Sequence, residues 1–218
     1  SIGGPGVDGE LVATFKKILE KQGLKFELGT KVSTVEKSGG KVTIKAEVKK
    51  DGQPKELEAD VVLMSIGRRP VTSGLNLEAV GVEVDQRGRV VVDDQYNTTC
   101  KGVKCIGDAT FGPMLAHKAE HEGVVCIEAI KGLHPHPMDK LLIPGCTYCR
   151  PQVASVGRTA AQAADEGLPH RVVEYPIGSI AGASLFADGY EGTATAVVDP
   201  EREVLLGVTF VGPAVSDL

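Results

Sequence analysis

The stretch Ile106-Gly107-Asp108-Ala109 ends a short apolar run, Val103–Ile106, and comes shortly before a helical pattern that extends from Met114 to Lys131. A carboxylate that follows a strand and a glycine is well placed to accept a hydrogen bond from a ligand hydroxyl. The helix is expected to begin near Met114-Leu115-Ala116-His117, where its free N–H groups favour an electron-rich ligand. The sequence therefore predicts a strand–turn–helix ligand site around Asp108.

The predicted helix after this site has an apolar stripe. The stripe consists of Leu115, Ala119, Cys126, Ile127 and Ile130. The loop that follows, Gly132–Asp139, is rich in His and Pro and indicates a domain boundary. Its two histidines, His134 and His136, have only Asp139 as a nearby carboxylate, so a loop role is favoured over metal binding.

Upstream of the site the pattern predicts a helix, a hairpin and a buried strand. Val7–Gln22 has its apolar residues on one stripe, and Gly23 marks its end. A turn at Lys50–Gln53 predicts a hairpin. The strand-like runs are Lys25–Leu28, Lys31–Val35, Val42–Val48 and Glu56–Ala59. Val61–Ile66 is a continuous apolar run that stops at Gly67, the pattern of a strand buried on both faces.

Downstream of the site the pattern is that of a small α+β unit. Its expected elements are strands at Gln152–Val156 and Val172–Pro176, a helix at Thr159–Glu166, and a hairpin of Thr193–Val198 with Val204–Val211.

Two further short strands are expected between Thr72 and the site, at Arg89–Val92 and Val103–Ile106.

Composition excludes several classes of protein. The chain has 218 residues, of which 42% are apolar and 24% charged, so a buried core is expected. A net charge of -5 without a basic block argues against a nucleic-acid partner. No run approaches the ~20 apolar residues of a membrane span, and no signal peptide is visible. Five cysteines, an odd number, favour a reducing compartment over a secreted disulfide framework.

Three motifs match functional signatures in their residue spacing but not in their sequence context. Gly4-x-Gly6-x-x-Gly9 matches a dinucleotide fingerprint, but only three residues precede it, which favours a plain helix-entry loop. Cys100 and Cys105 have the spacing of a redox pair, yet five extended steps would separate their Cα atoms by ~16 Å, which favours thiol packing. Cys146-Thr147-Tyr148-Cys149 has no second ligand pair for zinc, so a structural role is expected and no metal site is assigned.

Three motifs in order resemble the flavin- and NAD-linked pyridine nucleotide-disulfide oxidoreductases, in particular their dihydrolipoamide dehydrogenase branch. They are Ile66-Gly67-Arg68-Arg69-Pro70, Ile106-Gly107-Asp108, and the segment Gly112–Glu120. The opening segments Gly4–Glu10 and Phe15–Phe26 are also similar to the mid-chain NAD domain of that family. The likeness is strong from residue 3 to about residue 157 and looser afterwards.

This resemblance implies an α/β and α+β fold, with partial Rossmann-like NAD and FAD domains before a truncated α+β dimerisation domain. Residues 1–72 would be the C-terminal half of the NAD-binding domain, 73–140 the FAD-proximal segment, and 141–218 the interface domain. Val32 and Gly67 would contact NAD, and Asp108 would hold the ribityl chain of FAD. The backbone of Met114, Leu115, Ala116 and His117 would approach the isoalloxazine ring.

The resemblance also has gaps. The redox cysteine pair of the N-terminal FAD domain, the Gly-rich entry strand and the final helices with their His-Pro and Glu pair have no counterpart here. No catalytic residue is therefore assigned, and the chain alone is expected to be inactive. Arg150 stands where many members have His, and Ile180–Gly192 leans toward mercuric-reductase-like members. Another disulfide reductase, or a non-catalytic dimerising fragment, stays open as an alternative.

The family likeness implies partners and a compartment as well. A homodimer would form through the C-terminal domain, and the parent protein would act on a lipoyl-bearing protein of a 2-oxo acid dehydrogenase complex. The compartment would be the cytoplasm, or the mitochondrial matrix in a eukaryote. No nucleic-acid or membrane partner is expected.

Overall fold

The computed structural model describes residues 2, 7, 9–186 and 191–218. Two compact units are present: Gln22–Arg68 forms the smaller unit, and Ser1–Lys21 with Arg69–Leu218 forms the larger. The mixed α/β class predicted from the sequence is confirmed, with one antiparallel sheet in each unit. The boundaries predicted near residues 72 and 140 stay predictions.

The smaller unit is a three-stranded antiparallel sheet of β1 (Thr30–Ser38), β2 (Lys41–Val48) and β3 (Pro54–Ala59), in that spatial order. Gly39 and Gly40 connect β1 to β2 with φ values of 59° and 83°. A two-residue hairpin turn with positive φ at both positions matches the twist of the strands, and glycine adopts it without steric cost. The hairpin predicted across Lys50–Gln53 is confirmed, because β2 pairs with β3 in antiparallel register on either side of that turn. Lys25–Leu28, in contrast, is not a strand.

The segment 61–66 contradicts its prediction as a buried strand. It has no strand structure, and Val61, Leu63 and Ile66 are 83%, 87% and 88% exposed. A strand buried on both faces needs paired neighbours at its sides and helices above and below it. Within the described part of the chain, no strand pairs with this run. Its apolar residues therefore lie at the surface.

The larger unit contains a five-stranded antiparallel sheet in the order β4-β5-β8-β7-β6. The strands are β4 (Gly145–Thr147), β5 (Gln152–Gly157), β6 (Arg171–Pro176), β7 (Thr193–Asp199) and β8 (Val204–Gly212). Two short helices, α3 (Ala160–Asp165) and α4 (Ala181–Phe186), follow β5 and β6. Thr159 and Gln162 form a capping box that starts α3. The predicted strands, hairpin and helix of this region are confirmed.

One part of the core of the larger unit lies where helix α1 (Gly9–Lys21) packs against β8. Leu11 and Phe15, one helical turn apart, are 1% and 3% exposed, and Val211 of β8 is fully buried. The apolar stripe predicted for this helix is therefore confirmed. The predicted glycine motif lies mostly outside the described residues, of which only Gly9 belongs to it, at the start of α1.

The segment before the second long helix is held by turns rather than strands. The runs predicted as strands at 89–92 and 103–106 make only isolated bridges, Val84 with Val90 and Asn97 with Lys104. The Asp85 carboxylate accepts from the backbone of Arg89, and Asp93 accepts from that of Asn97, each at 2.9 Å. Such local bonds from aspartate offer the backbone an alternative to a sheet.

The second long helix, α2 (Ala116–Ile130), confirms the predicted element but corrects its buried face. Ile127 and Ile130, expected in the core, are 58% and 60% exposed. Cys126 is buried as predicted, and the other buried positions are Lys118, Glu122 and Val125. The inward face of the helix carries the charged pair Lys118 and Glu122, whose contacts with the Gly107 turn account for the difference from the predicted face. No described helix is long and apolar enough to cross a membrane.

Candidate functional site

Gly107 begins a short 3₁₀ turn, Gly107–Ala109, that lies against α2. Its φ is +72°, a conformation that residues with a Cβ rarely adopt. A Cβ at this position would also lie 3.4 Å from the Cβ of Ala119, so the turn approaches the helix closely. Gly107 is buried, whereas the next residue, Asp108, is exposed. The turn therefore presents the Asp108 carboxylate to solvent from a buried backbone.

A buried ion pair on α2 binds this turn. The side chains of Lys118 and Glu122 are 1% and 0% exposed, with Nζ and Oε1 2.9 Å apart. Glu122 Oε2 accepts a hydrogen bond from the Gly107 N–H at 2.6 Å, and Lys118 Nζ donates to the Gly107 carbonyl at 3.0 Å. Both backbone groups of Gly107 are therefore satisfied by charged side chains, which make stronger hydrogen bonds than neutral ones.

Sequence reasoning missed this pair. A Lys and a Glu four residues apart on a helix ordinarily indicate a solvated surface pair. The signal that could have revealed it was their position on the helix, because Lys118 lies two turns and Glu122 one turn before Val125 and Cys126 on the same face. The pair replaces apolar residues on the inward face because the Gly107 backbone needs polar partners there.

The buried surroundings of the pair also raise the pKa of two neighbouring acidic groups, the Tyr96 phenol and the Cys105 thiol. Burial, and then the Glu122 carboxylate, raise the pKa of Tyr96 to about 12. Burial likewise raises the pKa of the Cys105 thiol, with Glu122 adding to the rise and Lys118 opposing it. Tyr96 and Cys105 therefore stay neutral around the turn at physiological pH.

The N-terminus of α2 presents a second set of groups. Leu115 is its N-cap residue, with extended backbone and no side-chain cap, and Met114 and Leu115 are half-buried. Ala116 and His117 are exposed. His117 Nε2 lies 2.8 Å from the carbonyl oxygen of Pro144, so this nitrogen carries the proton and donates. The uncapped helix start offers N–H groups to an electron-rich ligand.

A cavity of about 530 Å³ opens beside this helix start. Its walls come from α2's entry and from strands β4 and β5, with Met114, Leu115, Cys146, Val153 and Val156 among the lining residues. Its volume and its apolar lining are typical of a small-molecule or cofactor site. Asp108 is not among the described residues that line it, so the carboxylate and the cavity lie at different parts of the α2 region.

Val32 and Gly67, the residues predicted to contact NAD, belong to the smaller unit. Val32 is 56% exposed and lies where the β1–β2 register shifts. Gly67 has a φ of +108° in the exposed segment that follows β3, and a Cβ there would meet nothing within 4 Å. The two residues lie in different elements, and their role toward NAD stays a prediction.

All five cysteines are free. The extended segment assumed between Cys100 and Cys105 is wrong, because the chain turns there: the Val103 N–H donates to the Cys100 carbonyl at 3.1 Å. Cys146 lies on β4, and the Cys149 thiol donates to the Pro151 carbonyl at 3.0 Å. Among the described residues, no cluster of three or more His, Cys, Asp or Glu could hold a metal ion.

We expect slow alkylation of Cys146 and Cys149 at neutral pH. Burial raises the pKa of both thiols, so less thiolate, the reactive form, is present than in an ordinary thiol. The rate of iodoacetamide labelling is measured by peptide mass spectrometry between pH 7 and pH 10. It should reach its half-maximum at a higher pH for these two thiols than for glutathione. Labelling that rises with, or before, that of glutathione would contradict this expectation.

Comparison with known proteins shows the family of this chain. The family model described as pyridine nucleotide-disulphide oxidoreductase matches residues 2–123, more than half of the chain. The chain belongs to the pyridine nucleotide-disulphide oxidoreductase family. The dimerisation-domain model of this family matches residues 143–218. The family resemblance drawn from the sequence motifs is therefore confirmed.

Curated relatives cover nearly the whole chain. Dihydrolipoamide dehydrogenase of Chaetomium thermophilum is 46% identical over 100% of this chain and 43% of its own length. Dihydrolipoyl dehydrogenase 3 of Pseudomonas putida is 45% identical over 98% of this chain and 45% of its own. Mitochondrial dihydrolipoyl dehydrogenase 1 of Arabidopsis thaliana is 44% identical over 98% and 42%. The chain spans less than half the length of these relatives.

Solved structures show the same fold. The HOCl-induced flavoprotein disulfide reductase RclA from Escherichia coli superposes with a TM-score of 0.85 at 25% identity, over 98% of this chain and 48% of its own. LpdA from Mycobacterium tuberculosis superposes with a TM-score of 0.85 at 23% identity, over 96% of this chain and 44% of its own. The fold of this chain is therefore that of flavoprotein disulfide reductases.

Proposed function

We propose that this chain is part of a flavoprotein disulfide oxidoreductase, most like dihydrolipoyl dehydrogenase, that moves electrons between a dithiol, FAD and NAD. The observation that carries the proposal is the Gly107–Asp108 turn, which presents an exposed carboxylate from a backbone fixed against α2. Relatives that are 38–46% identical and named dihydrolipoyl or dihydrolipoamide dehydrogenase support this choice over other disulfide reductases.

The residues present fit a flavin. Asp108 is exposed and would accept hydrogen bonds from the ribityl hydroxyls. The uncapped start of α2, Met114, Leu115, Ala116 and His117, would direct N–H groups toward the electron-rich edge of the isoalloxazine ring. When bound, FAD supplies the two-electron chemistry, and the protein supplies position and electrostatics. No residue of this chain is assigned a catalytic role.

NAD would be bound through the smaller unit. Val32 is solvent-exposed on β1, and Gly67 leaves room for close approach of a ligand to its backbone. These features support contacts with the dinucleotide, and the family of the chain gives the further ground for the proposal.

Partners and compartment follow from the relatives. We propose a homodimer formed through residues 141–218, because a dimerisation-domain model matches there and the edge strand β6 exposes Val172, Val173 and Tyr175. In the parent protein the substrate would be a lipoyl-bearing protein of a 2-oxo acid dehydrogenase complex. Since the relatives include mitochondrial and bacterial proteins, the compartment would be the mitochondrial matrix or the bacterial cytoplasm.

Fluorescence titration of FAD with the purified chain tests this proposal. We expect saturable quenching, because the Asp108 turn and the α2 start form one wall of the flavin site. NADH-dependent reduction of lipoamide should not occur with the same sample, because the assigned residues bind and position without reacting. No quenching at any chain concentration would contradict the flavin assignment. Lipoamide turnover by the chain alone would contradict the claim that its residues bind and position without reacting.

A further inference from the structure

The Lys118–Glu122 pair is buried, binds the turn that carries Asp108, and lies outside every role assigned above. We propose that it is a positioning element of the flavin site, which fixes the backbone of Gly107 and thereby the direction of the Asp108 carboxylate. This inference rests on the proposed function, because it assumes that Asp108 faces the flavin. Neither residue touches the ligand in this account, and both act through Gly107.

The geometry of the two hydrogen bonds shows how the pair acts. The Gly107 N–H belongs to the peptide plane that joins Ile106 to Gly107, and Glu122 Oε2 binds it at 2.6 Å. The Gly107 carbonyl belongs to the next plane, which joins Gly107 to Asp108, and Lys118 Nζ binds it at 3.0 Å. Only φ and ψ of Gly107 relate these two planes. Binding one group in each plane therefore fixes both angles.

Glycine makes this constraint necessary. Gly107 has a φ of +72°, and glycine reaches either sign of φ at little cost, so it could otherwise rotate freely. Rotation about either angle would turn the Asp108 side chain away from its observed direction. Two charge-assisted hydrogen bonds select one conformation out of this freedom. The mobility that glycine permits is thus removed at the position where a fixed carboxylate is needed.

The surroundings hold the pair itself in place. Lys118 and Glu122 are one helical turn apart on α2, and their charged atoms contact each other at 2.9 Å. Gly112 makes room for the lysine stem, because a Cβ there would lie 2.6 Å from Lys118 Cε. Replacing a buried ion pair with apolar residues is often neutral or stabilising, so stability alone gives little reason for this arrangement.

Two matched double variants of the full chain separate positioning from stability. Glu122→Gln/Lys118→Met removes both charges but keeps a side-chain oxygen that can accept from the Gly107 N–H. Glu122→Leu/Lys118→Met removes both charges and the acceptor. We expect the Gly107 amide to exchange with deuterium at least tenfold faster in the Leu variant than in the Gln variant, without FAD present. We expect FAD binding to be at least tenfold weaker in the Leu variant.

A second comparison tests whether the pair acts through Asp108, and it does not require the Leu variant to fold. Glu122→Gln/Lys118→Met is introduced into the wild-type chain and into Asp108→Ala. FAD binding should weaken in the first background, where the lost Lys118 bond loosens the turn, and stay unchanged in the second. The Arg158–Glu166 pair, whose glutamate is exposed, supplies the control, since Glu166→Gln should change neither FAD binding nor Gly107 exchange.

The outcomes are distinguishable. A wild-type chain that binds no FAD would overturn the proposed function and this inference with it. If the wild-type chain binds FAD, equal affinity in the two double variants would overturn the inference alone. Equal weakening of FAD binding in the wild-type and Asp108→Ala backgrounds would also overturn it, because the pair would then act independently of Asp108.

Discussion

Gly207→Ala is expected to destabilise the larger unit by about 3 kcal/mol or more, as overpacking does where only backbone can yield. Gly207 of β8 pairs with Gly157 of β5. A Cβ at Gly207 would lie 2.5 Å from the Arg158 nitrogen and closer still to the Arg158 carbonyl oxygen. Because the Arg158 N–H donates to the Leu206 carbonyl at 2.9 Å, relief of this clash requires a shift of the paired strands.

Urea unfolding followed by circular dichroism measures this effect. Gly182→Ala is the matched control, because Gly182 lies in α4 and a Cβ there meets nothing within 4 Å. Alanine favours a helix over glycine, so the control should be neutral or slightly stabilising. Equal midpoints for the two variants would show that β5 and β8 do not approach each other as described.

Asp108→Ala is expected to weaken FAD binding by about 10- to 100-fold. A hydrogen bond to a charged group contributes about 1.5–3 kcal/mol, and each 1.4 kcal/mol is a factor of ten in affinity. Because Asp108 is exposed, its removal leaves no buried group without a partner, so folding should be unaffected. The measurement is the fluorescence titration of FAD, with thermal unfolding of the same sample.

Asp60→Ala is the control for a general effect of charge. Asp60 is an exposed carboxylate of the smaller unit, paired with Lys41 at 2.7 Å. FAD affinity should be the same as in the wild-type chain. An equal loss of affinity in both variants would indicate a nonspecific contribution of negative charge, and no loss at Asp108 would remove this residue from the flavin site.

The local sequence pattern predicted the elements whose apolar residues recur with the period of a helix or a strand. α1, with Leu11 and Phe15 one turn apart, and the β7–β8 hairpin both form from residues close in sequence. The Asp108 turn was also predictable, since a strand-like run, a glycine and a helix follow one another along the chain. In each case the predictive signal lies within a few residues of sequence.

Other features depend on partners that the local pattern does not contain. Burial of the run 61–66 requires neighbouring strands, and the described chain provides none that pair with it. Lys118 and Glu122 have the spacing of a surface pair, and only the position of the Gly107 backbone makes them inward-facing. Ile127 and Ile130 are exposed for the same reason, because the opposite face of α2 binds the turn.

The segment 61–66 and helix α2 both expose large apolar side chains. Such residues on a folded surface are typical of interaction sites. The chain spans less than half the length of its curated relatives. The flavin assignment depends instead on contacts within the described chain.

The most direct test of that assignment is a ¹H–¹⁵N correlation spectrum of the labelled chain, recorded as FAD is added. We expect saturable shifts of the amide signals of Gly107–Ala109 and Leu115–Lys118, with much smaller changes in β1–β3. Saturable shifts confined to other residues, or no shifts at concentrations that saturate flavin quenching, would contradict the placement of the flavin beside Asp108 and the start of α2.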